Sequence, residues 1–303
     1  GEKTGNYTTM LFRADQGAAM KYQFDITVDD PVLRDIFNDI RFREAMSLAV
    51  NRPEINDTIF FGLGVPRQWG VSSASPLYED WEGQYFADYD VAKANALLDE
   101  MGLKKGPDGV RLRPDGKPLR LVLDDAVNRV QLSELIAEYW TAVGVPTQVN
   151  TITREAFQQA VIANQVQASV WFADVVSEKD MYTRPIWFRP PYGLDTNPVG
   201  GGLAWRQWEL TNGAQGEKPP AEYEAQQKLV TQWQSTPIGS DDYYKLGKEV
   251  VANTVKQMLH IGTVGEVPYI YTRSNRIKNF PGENTLFIDH TRGAHSEQWY
   301  LAN

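Results

Sequence analysis

The 303-residue chain has no cysteine. That excludes a disulfide framework, a thiol nucleophile and a thiolate-ligated metal. It also lacks a basic surplus: 30 Lys and Arg stand against 39 Asp and Glu, for a net charge of −9. A nucleic-acid face needs the opposite balance, because phosphates are met by Lys and Arg. No apolar run approaches the ~18–20 residues that span a bilayer, and no secretory apolar segment opens the chain. Histidine is scarce. His260, His290 and His295 match no common metal-ligand spacing. There is no nucleophile elbow, and Gly200, Gly201 and Gly202 precede Leu203 and Ala204 rather than the Lys and Ser/Thr of a phosphate loop. Neither a metal nor a cofactor is expected.

What the chain does have is aromatic surface: 9 Trp, 14 Tyr and 12 Phe. Trp and Tyr pair a large apolar face with a polar handle, which suits a ligand groove. The same residues also pack loops, so each Trp carries both readings. A hydrophobic fraction of 42% with 23% charged residues is ordinary for a globular α/β protein with a packed core.

Punctuation along the chain sets the element order. Tyr7–Phe12 and Tyr22–Val28 read as strands, and Asp29, Asp30 and Pro31 break the pattern. Asn38 or Asp39 caps a helix from Arg41 to about Val50; Asn51 caps the next, with Pro53 in its first turn and Glu54 at capping-box spacing. A loop with Trp69 and Trp81 follows. Asp90 caps a short helix that Gly102 stops, and Pro114, Asp115 and Gly116 centre a hairpin. Next come a strand (119–123), a helix ending at Gly144, a strand (145–150), a helix (154–164) and a strand (168–172). That alternation implies parallel strands joined by helical crossovers. Residues 175–220 read as an irregular, Pro-, Gly- and Trp-rich loop region, ordered by its tryptophans. Helices over 221–234 and 241–257 and a strand from Val267 close the chain.

Two segments carry a resemblance. Residues 40–64, IRFREAMSLAVNRPEINDTIFFGLG, resemble the "VRqAlsyAiDReaI…fGlG" helix pair of the family 5 extracellular solute-binding proteins. Residues 89–102, YDVAKANALLDEMG, are similar to that family's "yDpekAkaLLdeaG", and WTAVGVP at 140–146 to its "lkeiGI". The resemblance covers roughly residues 35–175. It implies a lobe of the type II periplasmic-binding-protein class, a mixed sheet flanked by helices. It also implies the carboxy-terminal half of such a protein: residues 1–30 as strands connecting to a first lobe, 31–260 as the ligand-binding lobe, and 261–303 as a return toward the first. The implied activity is reversible capture of a peptide or oligopeptide-like solute for an ABC permease. The protein would be a monomer, periplasmic or extracellular, anchored as a lipoprotein when full length, and not an enzyme.

In α/β units ligands sit beyond the carboxyl ends of parallel strands. That rule puts Asp174 at the rim of the 168–172 strand. Peptide-binding members carry "W-x-x-D" or "W-x-A-D" at this point, the Asp pairing with the peptide's α-ammonium, and Trp171 and Asp174 match it. The family's "D-Y/W-x-D/E-P" then departs into Asp174, Val175, Val176, Ser177 and Glu178. Trp69, Trp187 and Trp205 are further candidate ligand residues. Arg184 and Arg189 are candidates for a ligand carboxylate or for pairing with Glu178 and Asp180. An oligosaccharide stacked on tryptophan is the alternative cargo. A carbohydrate-acting enzyme is a further reading, and it would need two carboxyls facing each other across a sugar; a binding lobe that has lost transport and serves as a sensor or adhesion module is the third.

Overall fold

Side-chain caps start the helices where the sequence places them. In the computed structural model, Asn51 accepts from the Glu54 amide at the head of Arg52–Ile59. Asp90 accepts from the Lys93 amide ahead of Val91–Glu100, and Thr153 from the Ala156 amide ahead of Arg154–Ile162. Each satisfies an amide that the first helical turn would otherwise leave open. Gly102 and Gly144, at φ 80° and 91°, supply the left-handed residues that end two helices. The structure describes all residues except 13, 15, 174–177, 184, 186, 189–200, 283–295 and 303, together with the side chains of 178–180 and 296.

Several stretches differ from the sequence reading: the loop with Trp69 and Trp81 contains the helix Asp80–Gln84, short strands precede Val267, and two further differences bear on the site. Asp30 and Pro31 do not merely break a strand. They start the helix Pro31–Asn38, with Pro31 at its head and the Asp30 carboxylate accepting from the Val32 and Leu33 amides. Proline lacks only an N–H that the first turn leaves unused anyway. The 175–220 region also contains helices, Glu178–Thr183 and Leu203–Leu210. The second is held by Asp25, whose Oδ1 accepts from the Gly202 amide at 3.1 Å. Burial raises the Asp25 carboxyl above its usual range, against bonds from Thr27 and Gly202 that favour the charge.

The strands are β1 (Tyr7–Phe12), β2 (Met20–Phe24), β3 (Val65–Pro66), β4 (Leu121–Asp125), β5 (Thr147–Thr151), β6 (Ala168–Phe172), β7 (Ile261–Gly262), β8 (Val264–Gly265) and β9 (Tyr269–Ser274). The main sheet runs β5-β4-β6-β2-β7. β4 is parallel to β5 and β6, and β2 is antiparallel to β6 and β7, so the sheet is mixed. Helices Val130–Ala142 and Arg154–Ile162 make the crossovers from β4 to β5 and from β5 to β6.

Successive strand residues face opposite sides of a sheet, and two cores result. Ala168 and Val170 join Tyr22, Phe24, Phe37, Phe42 and Trp140 on one side. Trp171 joins Phe157, Trp69, Trp187, Trp205 and Trp233 on the other. Trp140 is fully buried and donates its indole N–H to the Met46 carbonyl at 3.0 Å, so the large apolar side chain leaves no orphan donor.

β1 and β9 form a separate antiparallel ribbon, from Tyr7 opposite Ser274 to Phe12 opposite Tyr269. Its small core is Met10 and Phe12 with Tyr269, Tyr271, Phe280 and Trp299. Two chain crossings join the ribbon to the lobe, tied by Ala19 N–H to the Val264 carbonyl (2.7 Å) and Glu266 N–H to the Gln16 carbonyl (2.9 Å). The crossings touch backbone to backbone. A Cβ on Gly17 would stand 1.8 Å from the Gly70 carbonyl oxygen, and one on Gly265 would stand 2.1 Å from that of Gly17. Arg67 then clamps the second crossing through Glu266 at 2.7 Å.

Candidate functional site

The carboxyl ends of β4, β5 and β6 open side by side on one edge of the main sheet, beside the start of β2. The β4 end carries two acidic residues, and both are engaged. Asp125 is buried and accepts from the Val127 and Arg129 amides and from the Ser133 hydroxyl, which fixes the start of helix Val130–Ala142. Asp124 accepts from the Asn150 side chain at 2.6 Å; burial raises its carboxyl above the usual range, opposed by that bond. Neither carboxylate faces the other across a gap, as strand alternation requires.

The β6 end carries Trp171 and Phe172. Trp171 is 4% exposed. One neighbour is Phe157, stacked at 5.7 Å, and another is the Arg154 guanidinium, 5.2 Å from the ring centre. Phe172 reaches solvent and lies under the exposed Arg129, at 5.7 Å. Asp174 lies outside the described residues, as do Arg184, Arg189, His290, His295 and the side chains of Glu178 and Asp180.

Trp69 and Trp187 meet in an interior cluster next to this edge. Trp69 is edge-on to His260 at 4.6 Å and tilted against Phe188 at 5.3 Å. Trp187 contacts His260 at 6.1 Å and carries the Lys21 ammonium 3.3 Å from its ring centre. Lys21 is fully buried and sits opposite Trp171 in the β2–β6 register. Burial, and after it the Lys21 charge, holds the His260 imidazole well below its ordinary range, so it is neutral near pH 7. Trp205 lies farther off, 4.6 Å from Tyr223. The four candidate tryptophans are therefore interior side chains, 1–4% exposed.

Lys21, Arg129 and Arg154 were not singled out by the sequence, and His260 was weighed there only as a metal ligand. Lys21 sits in an ordinary strand, and the two arginines sit at helix starts that motif reading did not single out. Among the described residues, no group of three or more His, Asp or Glu stands close enough to hold a metal ion. No described helix is long and apolar enough to cross a membrane.

Comparison with known proteins gives this geometry a family. The model for bacterial extracellular solute-binding proteins, family 5 Middle, matches residues 2–191. A probable ABC transporter-binding protein of Deinococcus radiodurans is 31% identical over 156 residues, covering 50% of this chain and 23% of its own. The solved oligopeptide-binding protein OppA superposes with TM-score 0.81 at 30% identity, covering 100% of this chain and 49% of its own. The periplasmic binding protein MelB of Agrobacterium fabrum, solved with stachyose, superposes with TM-score 0.74 at 15% identity. It covers 97% of this chain and 45% of its own, and at that identity the likeness is one of fold. The chain thus spans half or less of the length of these relatives, each of which is named as a binding protein. With the family model matching well over half of its residues, the chain belongs to the bacterial extracellular solute-binding proteins of family 5.

Proposed function

We propose that the protein captures a peptide or oligopeptide-like solute reversibly and delivers it to the membrane permease of an ABC importer. Family membership supports this, and so does 30% identity to an oligopeptide-binding protein along the whole chain. The observation that carries it is the sheet edge. Three parallel strands open there together, and the described acidic residues at the opening, Asp124 and Asp125, are already bound to amides and a hydroxyl. Such an edge suits a ligand, and among the described residues its carboxylates offer no free pair for glycoside hydrolysis. The protein is accordingly read as a binding protein without catalytic activity.

In this reading, residues 31–260 supply the ligand lobe, while 1–30 and 261–303 lead toward a first lobe, and the ligand is enclosed as the crossings bend. Asp174 takes a cationic group of the ligand and Trp171 marks the same wall. Trp69, Trp187 and Trp205 are read as the support of that wall. The full-length protein acts as a monomer outside the cytoplasm, attached by a lipid anchor.

An oligosaccharide is the second reading, favoured by the aromatic content and by the shared fold with a stachyose-bound protein. A thermal-shift screen of the intact protein against peptides and oligosaccharides separates the two. A ligand that binds only the folded state at about 100 times its Kd adds roughly 2.7 kcal/mol of stability. Peptides are expected to raise the melting temperature. A shift with oligosaccharides alone would replace the peptide reading with the sugar one.

A further inference from the structure

Eight of the nine tryptophans meet another aromatic ring. Trp208 does not. Among the described residues no aromatic ring or cation stands over its indole, and its N–H has no acceptor. It is half-buried rather than interior, near the end of helix Leu203–Leu210. Its six-membered ring rests on the turn that follows: a Cβ on Gly213 would stand 3.1 Å from Trp208 Cζ2. Gly213, at φ 85°, donates its amide to the Trp208 carbonyl at 2.8 Å. A left-handed residue without a side chain lets the indole lie against main chain. The result is a large amphipathic side chain, supported from behind, with its polar handle unused.

Trp208 lines a cleft of about 850 Å³ between that helix and helix Ala221–Gln234. The volume falls within the roughly 300–1,000 Å³ of small-molecule sites. Asn212 and Gln232 share the lining, and among the described residues neither side-chain amide makes a hydrogen bond. Each offers an N–H donor and a carbonyl acceptor. Charge cancels: Glu209 and Glu224 line the cleft with Lys228, and Lys218 stands 3.3 Å from Glu224. The cleft lies at the opposite end of the sheet from the candidate ligand edge. Helix Leu203–Leu210 hangs there from Asp25 and Thr27, through the Gly202 amide at 3.1 Å and the Ala204 amide at 3.3 Å. Those residues follow Phe24, which pairs with Ala168 at the start of β6 rather than at its carboxyl end.

We propose that this cleft binds a short neutral saccharide, apart from the solute carried at the carboxyl edge. The C–H face of a pyranose is made slightly positive by its oxygens and meets the negative face of an indole. Hydroxyls both donate and accept, which matches the two amides and the indole N–H. The cancelled charge gives an ionic guest no advantage. The cleft is built within this lobe alone, so the site does not depend on which solute is transported.

Fluorine NMR of the intact protein labelled with fluorotryptophan tests this, with the Trp208 signal assigned by Trp208→Phe. The probes are maltotriose, cellotriose and chitotriose, with trialanine as the control. At least one saccharide is expected to shift the Trp208 signal saturably at millimolar concentration, while trialanine leaves it in place. Gln232→Ala is expected to weaken that binding by roughly two- to tenfold, as loss of one neutral hydrogen bond implies. An unchanged melting temperature of the ligand-free variant shows that folding is intact. If no saccharide moves the signal, if trialanine moves it equally, or if Gln232→Ala binds as the wild type does, the site is overturned. A saccharide that binds in isothermal titration yet leaves the Trp208 signal still also overturns it, while the oligosaccharide reading of the carried solute stands.

Discussion

Arg52 and Glu82 are both fully buried, and they meet that condition differently. The Arg52 guanidinium donates to the Gly262, Ser47 and Ala87 carbonyls at 3.0 Å and to the Ser47 hydroxyl at 2.8 Å. Its donors are used, and one side chain ties β7 to the helix Ile40–Leu48 and to the loop at Ala87. Glu82 accepts from the Glu79 amide with one oxygen and has no hydrogen-bond partner on the other. Burial pushes its carboxyl up to about 8; the Glu79 charge adds to this, and the Glu79 amide and Arg67 oppose it. A carboxyl raised from 4.5 to about 8 keeps its proton in the folded state over a range where the unfolded chain has lost it. Its contribution to stability is therefore fully present below about pH 4.5 and is lost as pH rises through 8. Urea midpoints of the wild type should fall between those limits, and Glu82→Gln should flatten that part of the profile. A slope unaltered in the variant would clear Glu82 of the effect. At this same scale the sequence was least readable. A count of nine tryptophans does not distinguish a groove from a core, and burial of Trp69, Trp171, Trp187 and Trp205 depends on partners far away in sequence, such as His260 and Tyr223.

Elements were legible wherever a local bond makes them. Asn51, Asp90 and Gly102 act on residues two to five positions away, so their caps and stops appear in one dimension. Helix Pro31–Asn38 was missed because proline serves two opposite roles, breaker and first helical residue, and only the Asp30 carboxylate decides between them. Asp30→Ala should cost about 1 kcal/mol, the usual loss on removing a capping oxygen. Arg113, which also pairs with Asp30, keeps Asp115 at 2.9 Å. Urea unfolding is the measurement; a loss below about 0.3 kcal/mol would mean that the helix is held by Leu33, Ile36 and Phe37 in the core rather than by its cap. Helix Leu203–Leu210 was hidden for another reason. It begins after glycines and is fixed by Asp25, 177 positions earlier than Gly202, which no local pattern encodes. The same limit applies to the sheet. The β-α-β-α-β run announces β4, β5 and β6, but nothing near Met20 announces that β2 will lie between β6 and β7.

At the scale of the whole molecule, the ribbon of β1 and β9 stands apart from the two cores. Its strands come from opposite ends of the described chain, and the Thr8 hydroxyl bonds the Asn275 side chain across 267 positions. Joining points so far apart carries a loop-closure cost that grows slowly with length but must be met before any contact rewards it. A two-stranded ribbon is marginal by itself in water, so it has little with which to meet that cost in an unfolded chain. A lobe that folds first would reduce it, because the crossings at Gly17 and Gly265 then lie back to back and bring the two strands together. This geometry predicts an order of events in which sheet and crossover helices form early and the ribbon zips last. Pulse-labelled hydrogen exchange during refolding should find amides of β4 and β6 protected before those of Thr9 and Tyr271; simultaneous protection would contradict that order. The ribbon is in this sense a clasp on a finished object, and a chain whose lobe has not closed around Gly17, Gly70 and Gly265 has no means of fastening it.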